Sequence, residues 1–273
     1  MKSPIYLIPC DFSPVSLSAM RMGIDLANFN DGSVLMLHFV DKKAGVKEAK
    51  DQFTEITNGL SESDRERVTT KVLVGSIYDH IAIASELISA NLIVMGTHGA
   101  KGMQKLFGSH ALKLVSSTNV PFMIMQSESS AKIKTIVMPY YFKKESIQVA
   151  QFAAALAKQF DATIHLVGFH HKDEWLEGNT KANQVVLRRF FTEAGVKHEI
   201  NNMEGNKIYE QELISYAENV NADLIAVSYY NDNLLPTMHS FVQHLIENEK
   251  QIPVLTVNAE DLMVTSGYSF LTI

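Results

Sequence analysis

The segment Gly96-Thr97-His98-Gly99-Ala100-Lys101-Gly102-Met103-Gln104-Lys105-Leu106-Phe107-Gly108-Ser109 follows a short apolar run and leads into a helical pattern. Glycines permit positive φ and close backbone approach, and the free N–H groups at a helix start attract anions, so this spacing suits a phosphate. It is not a Walker A loop, because no Gly-Lys-Ser/Thr follows Gly99 at the required distance; nor does the first apolar run lead into Gly-x-Gly-x-x-Gly. Behind that first run stand Pro9, Cys10 and Asp11. Asp11 is also of the type that caps a helix, worth about 1 kcal/mol. Cys10 has no neighbouring positive charge to activate it and reads as a packing residue. The pair His170-His171 invites a metal reading, but adjacent strand residues point to opposite faces and no Cys/His/Asp set completes a site, so no metal centre is expected.

The elements that must position these residues are written twice. Ile5-Tyr6-Leu7-Ile8-Pro9-Cys10-Asp11-Phe12 recurs as Thr135-Ile136-Val137-Met138-Pro139-Tyr140-Tyr141-Phe142, and Asn91-Leu92-Ile93-Val94-Met95 as Asp223-Leu224-Ile225-Ala226-Val227. Asn119-Val120-Pro121 is matched by Gln251-Ile252-Pro253. A period of about 130 residues means duplicated domains rather than a solenoid. In each copy short β-branched runs alternate with helical periodicity. The strands expected are 5–9, 34–40, 69–74, 92–95 and 122–126, then 133–138, 164–169, 197–203, 224–227 and 254–258. Buried parallel strands joined by right-handed crossovers make each copy a doubly wound α/β domain, a five-stranded mostly parallel sheet with helices on both faces. The domains expected are 1–127 and 132–273, joined by a short polar linker and closed by a C-terminal tail.

In such sheets a ligand sits beyond the carboxyl ends of the strands where their order reverses, so the residues after the first and fourth strands matter most. The copies differ most there. Asp11 is answered by Tyr141, Gly96 by Ser228, Gly99 by Asn231, Gly108 by Ser240 and Ser109 by Phe241. Tyr140, Tyr141, Tyr229 and Tyr230 fall where the second pocket would lie and read as a plug, or as a stacking platform for a flat ligand.

Composition excludes other classes. Across 273 residues, 46% hydrophobic and 20% charged with a net charge of −6, the chain is an ordinary globular one without the basic footprint of a nucleic-acid or anionic-membrane binder. A single cysteine permits no internal disulfide. Leu7-Ile8-Pro9-Cys10 is too close to Met1 for a secretory apolar region, and a cytoplasmic location is expected.

Together Ile8-Pro9-Cys10-Asp11-Phe12-Ser13, Leu37-His38-Phe39-Val40, Gly96-Thr97-His98-Gly99 with Gly108-Ser109, and Asn119-Val120-Pro121 resemble, in that order, the motifs of the universal stress protein family in its tandem, two-domain form. The resemblance implies an adenine-nucleotide-binding, stress-response regulatory module rather than an enzyme, with ATP or AMP as ligand and Mg²⁺ as the companion of a triphosphate. It implies that Asp11 holds the ribose or adenine side and that Pro9, Cys10 and Phe39 line the base pocket. Met95, Gly96, Gly99, Gly108 and Ser109 would wrap the ribose and phosphates, with His110 next to them where ATP-binding members often offer a small hydroxyl residue. Eight residues separate Gly99 from Gly108, one fewer than the family's Gly-x2-Gly-x9-Gly-Ser/Thr. A nucleotide-independent scaffold with both pockets empty and a weak ATP hydrolase are the alternatives. The family's dimers imply an intramolecular pairing of the two copies and a homodimer as further assemblies.

Overall fold

The structure, a computed structural model, describes residues 3–97, 109–127, 132–141, 146–204, 208–229 and 236–259. The chain forms two compact units, Met1–Ser130 and Ala131–Ile273.

In the first unit the elements run β1 (Ile5–Pro9), α1 (Pro14–Asn30), β2 (Ser33–Val40), a 3₁₀ turn (Lys43–Gly45), α2 (Val46–Asn58), α3 (Glu62–Arg67), β3 (Val68–Val74), α4 (Ile77–Leu87), β4 (Leu92–Gly96), α5 (Ser109–Val115) and β5 (Phe122–Met125). Its strands lie in the order β3-β2-β1-β4-β5, all parallel. Stepping from β1 to β3 and then back to β4 and β5 puts α1 to α3 on one face and α4 and α5 on the other, because each crossover is right-handed; α1 touches α3 and α4 touches α5 accordingly. Covered on both faces, β4 is buried throughout and β1 from Tyr6 onward, while edge strand β3 is half exposed.

The second unit repeats this as β6 (Thr135–Tyr140), α6 (Ser146–Phe160), β7 (Thr163–Phe169), α7 (Glu174–Glu193), β8 (His198–Met203), α8 (Tyr209–Asn219), β9 (Leu224–Tyr229), α9 (Pro236–Ile246) and β10 (Val254–Asn258), in the order β8-β7-β6-β9-β10. The doubly wound parallel α/β fold expected from the strand-helix alternation is therefore the one observed.

Three differences have local causes. Ser61 caps an extra turn, α3, by accepting the Asp64 N–H at 3.2 Å, a short Ser-x-x-Asp signal hidden in a polar stretch. The first strand of the second unit lies two residues later than expected, through Pro139 to Tyr140. The last helix starts at Pro236 rather than Ser240, in keeping with proline's preference for a first helical turn. Of the expected linker 127–131 and tail 259–273, residues 128–131 and 260–273 lie outside the described residues.

Each unit ties its central strand pair at the amino end. Asn91 Oδ1 accepts the Ile5 N–H at 2.9 Å before β4, and Asp223 Oδ2 accepts the N–H groups of Lys134 at 2.7 Å and Thr135 at 3.0 Å before β9. These are the Asn91 and Asp223 positions that open the repeated motif. Replacing Asp223 by alanine leaves two amide N–H groups without their charged acceptor. A loss of about 1–3 kcal/mol is expected, read as a lower urea midpoint by far-ultraviolet circular dichroism.

Candidate functional site

The strand order of the first unit reverses between β1 and β4. In a parallel sheet both polar groups of one residue face the same neighbour, and the residues alternate. Cys10 N–H bonds to Leu37 O at 2.8 Å, toward β2, and Ile5 O accepts from Asn91 N, toward β4. Residues 5, 7 and 9 therefore face β4, and Pro9 has no N–H to offer it. The β1–β4 register runs Tyr6–Leu92 and Leu7–Ile93, whereas β1 stays paired with β2 through Pro9–Leu37. Proline thus frees the carboxyl ends of β1 and β4 from each other at the point where α/β sheets bind ligands.

The turn out of β1 is short and strained. Phe12 has φ 64°, a left-handed conformation that costs a bulky residue on the order of 1–3 kcal/mol. Its ring lies 4.5 Å from that of His38 and 4.9 Å, edge-on, from that of Phe53. Asp11 does not cap α1, contrary to one expectation; Ser13 does. Ser13 Oγ accepts the Ser16 N–H at 3.3 Å, and Pro14 follows in the first turn. Asp11 instead holds the cap: its Oδ1 accepts from Ser13 Oγ at 2.5 Å and from Ser13 N at 3.1 Å. The other carboxylate oxygen, Oδ2, is buried and has no hydrogen-bond partner among the described residues. A buried acceptor left unpaired is costly and points to a donor arriving from elsewhere.

Cys10 is buried, its Sγ 3.5 Å from Ser16 Oγ, and burial pushes its thiol pKa up, which fits the packing role. Met95 is closed into the core. Gly96 packs closely against α1: a Cβ there would meet the backbone of Val15 at 2.8 Å and Ser16 N at 2.9 Å. Its φ is ordinary, so glycine is needed to let the first turn of α1 approach β4. Phe39 lies on the opposite face from His38, its ring 6.3 Å from that of His80 in α4. Gly99 and Gly108, with His98, lie outside the described residues; Ser109 and His110 open α5.

In the second unit the same place is filled. Tyr140 lies over Gly168, where a Cβ would meet the phenol oxygen at 2.3 Å and Cζ at 2.4 Å. Its hydroxyl donates to Asn202 Oδ1 at 2.9 Å and accepts from Gln184 Nε2 at 2.8 Å, and burial pushes its pKa up to about 12. Tyr141, answering Asp11, is buried edge-on against Phe241, which answers Ser109, with centroids 5.5 Å apart. Tyr229 is also buried, and Tyr230 lies outside the described residues. His170 and His171 converge on one carboxylate: Glu177 Oε2 takes His170 Nδ1 at 3.3 Å and the His171 N–H at 2.9 Å. With Lys181 at 3.0 Å on Oε1, these contacts hold the Glu177 pKa down at about 2. Sequence reasoning named neither His38 nor Phe53 as part of the site; His38 sat in a quoted motif, whereas Phe53 carried no signal beyond helical periodicity.

The sequence profile of the universal stress protein family matches residues 5–126, the whole β1-to-β5 span. Over these residues the chain is similar to the universal stress protein family. Universal stress protein MJ0531 of Methanocaldococcus jannaschii is 29% identical over 136 residues, 44% of this chain and 80% of its own. Among solved structures, a universal stress protein from Archaeoglobus fulgidus superposes with a TM-score of 0.70 at 19% identity, covering 95% of this chain and 98% of its own. A functionally unknown Pseudomonas aeruginosa protein, PA1789, gives a TM-score of 0.66 at 14% identity, covering 94% and 93%. At such identities these likenesses establish the fold, and they do so across both units.

Two outcomes test this geometry of the first unit. Cys10, buried with a raised pKa, is expected to react with Ellman's reagent at pH 8 only once urea is added. Gly96→Ala, whose Cβ meets backbone that cannot rotate away, is expected to cost about 1–3 kcal/mol in the urea midpoint.

Proposed function

We propose that the first unit binds an adenine nucleotide beyond the carboxyl ends of β1 and β4, that the second unit binds none, and that the chain acts as a regulatory module rather than an enzyme. One observation carries this reading. At equivalent turns of the same fold, the first unit presents Asp11 with a buried, unpartnered carboxylate oxygen, and the second presents Tyr141 packed on Phe241. A ribose hydroxyl or an exocyclic amine is the kind of donor that Oδ2 lacks. The glycine-rich segment 96–109 would take the phosphates through backbone N–H groups, as the family resemblance implies, with Pro9, Cys10 and Phe39 toward the base. Met95 and Gly96 enter as the packed wall beneath the ligand. The near balance of 12 basic and 13 acidic side chains in residues 1–130, against 12 and 17 in 131–273, leaves the anion-binding unit with the smaller negative field. Intramolecular pairing of the units and homodimerisation belong to the same proposal as the frame in which such a module would signal. No described helix is long and apolar enough to cross a membrane.

The test is to denature purified protein and identify any released nucleotide by mass spectrometry, then to titrate ATP, ADP and AMP calorimetrically with and without Mg²⁺. Asp11→Ala is expected to weaken binding about tenfold, the scale of one lost charged hydrogen bond, and Tyr141→Phe to leave it unchanged. Absence of binding by all three nucleotides at millimolar concentration would overturn the reading. Phosphate release from ATP should stay at background; turnover that Asp11→Ala abolishes would make the chain a hydrolase instead.

A further inference from the structure

His38 touches the Asp11 turn on both sides. Its Nδ1–H donates to the carbonyl of Cys10 at 2.7 Å, since a carbonyl can only accept, and its ring lies 4.5 Å from that of Phe12. One side chain thus holds the residue before Asp11 by a hydrogen bond and the residue after it by ring contact. Phe53, one of two buried residues of α2, closes the cluster from the helix side, 4.9 Å from Phe12 and 6.4 Å from His38. The left-handed backbone at Phe12 persists only if its surroundings over-determine it, and these contacts are what surround it.

The second unit supplies an internal control. Gly168 stands at the position of His38, beneath Tyr140, and the α7 side chain of Asn183 donates to the carbonyl of Tyr141 at 2.6 Å. There another side chain holds the carbonyl, and Tyr141 stands at the position of Asp11.

We propose that His38 is a positioning residue for the ligand site: it fixes the turn so that Asp11 Oδ1 is spent on Ser13 while Oδ2 stays buried and free for the ligand. This rests on the nucleotide reading above for what the ligand is, but the positioning itself is measurable without ligand.

His38→Phe keeps a ring against Phe12 and removes the N–H that holds Cys10. In the free protein it is expected to shift the amide resonance of Ser13, whose N–H reports its bond to Asp11 Oδ1. Phe53→Leu loosens the clamp from α2 and should shift the same resonance. An unmoved Ser13 amide in both variants overturns the proposal. In ATP titrations His38→Phe should weaken binding about fivefold when Asp11 is present and less than twofold in an Asp11→Ala background, because a residue acting through Asp11 has nothing left to act on. Equal losses in the two backgrounds would show a merely structural role and also overturn it. If the wild-type protein binds no nucleotide, the functional reading fails, and the Ser13 amide still decides the role of His38.

Discussion

A missing hydrogen-bond donor organises each half of this protein. β1 lies between β2 and β4, where proline ordinarily breaks a ladder. Here the ring is placed so that only the β4 side loses its donor, and only at the last residue of the strand. The β2 side keeps its pairing through Pro9 and Cys10. With Asn91 fastening the opposite end, β1 and β4 are held at their amino ends and released at their carboxyl ends. The second unit repeats the device with Pro139 and Asp223, its β6–β9 register running Ile136–Leu224 and Val137–Ile225. The crevice of the doubly wound fold is thus prepared by strand chemistry before any ligand-facing side chain is chosen.

Given the same opening, the two units fill it differently. The first puts Cys10, Asp11 and Ser13 at the turn and packs the ring of Phe12 against His38 and Phe53. The second puts rings in the turn itself and makes room with Gly168, where any side chain would collide with Tyr140. Its phenol is fully hydrogen-bonded, so burial is stabilising there, and nothing at that position needs an external partner. The units differ in the side chains at this turn rather than in how they fold.

The fold was legible because it rests on patterns that survive without contacts: β-branched runs, helical periodicity and a repeat that places Pro9 with Pro139 and Asn91 with Asp223. The asymmetry of the site was legible for the same reason, since Asp11 and Tyr141 fall at matching positions. What stayed hidden depends on three-dimensional approach. Gly96 reads as part of a phosphate loop in sequence, and its contact with α1 is revealed only by the position of the Val15 backbone. Asp11 reads as a helix cap because caps are recognised by residue type, yet Ser13 two residues later takes that role and turns Asp11 into its holder. Phe53 looks like any apolar helix residue until its ring is found against Phe12.

These hidden features share a direction. A bulky residue in a left-handed conformation and a buried carboxylate oxygen without a donor both work against the stability of the first unit. The second unit shows that the same fold does without the acid at that turn, with an aromatic contact in its place. Departures from local consistency of this kind gather at functional sites, and here they gather on two consecutive residues, Asp11 and Phe12. A ligand that supplied the donor Oδ2 lacks would remove one of the two costs on binding, so the strain at Phe12 is the part of the design that persists in both states and keeps Asp11 aimed in each.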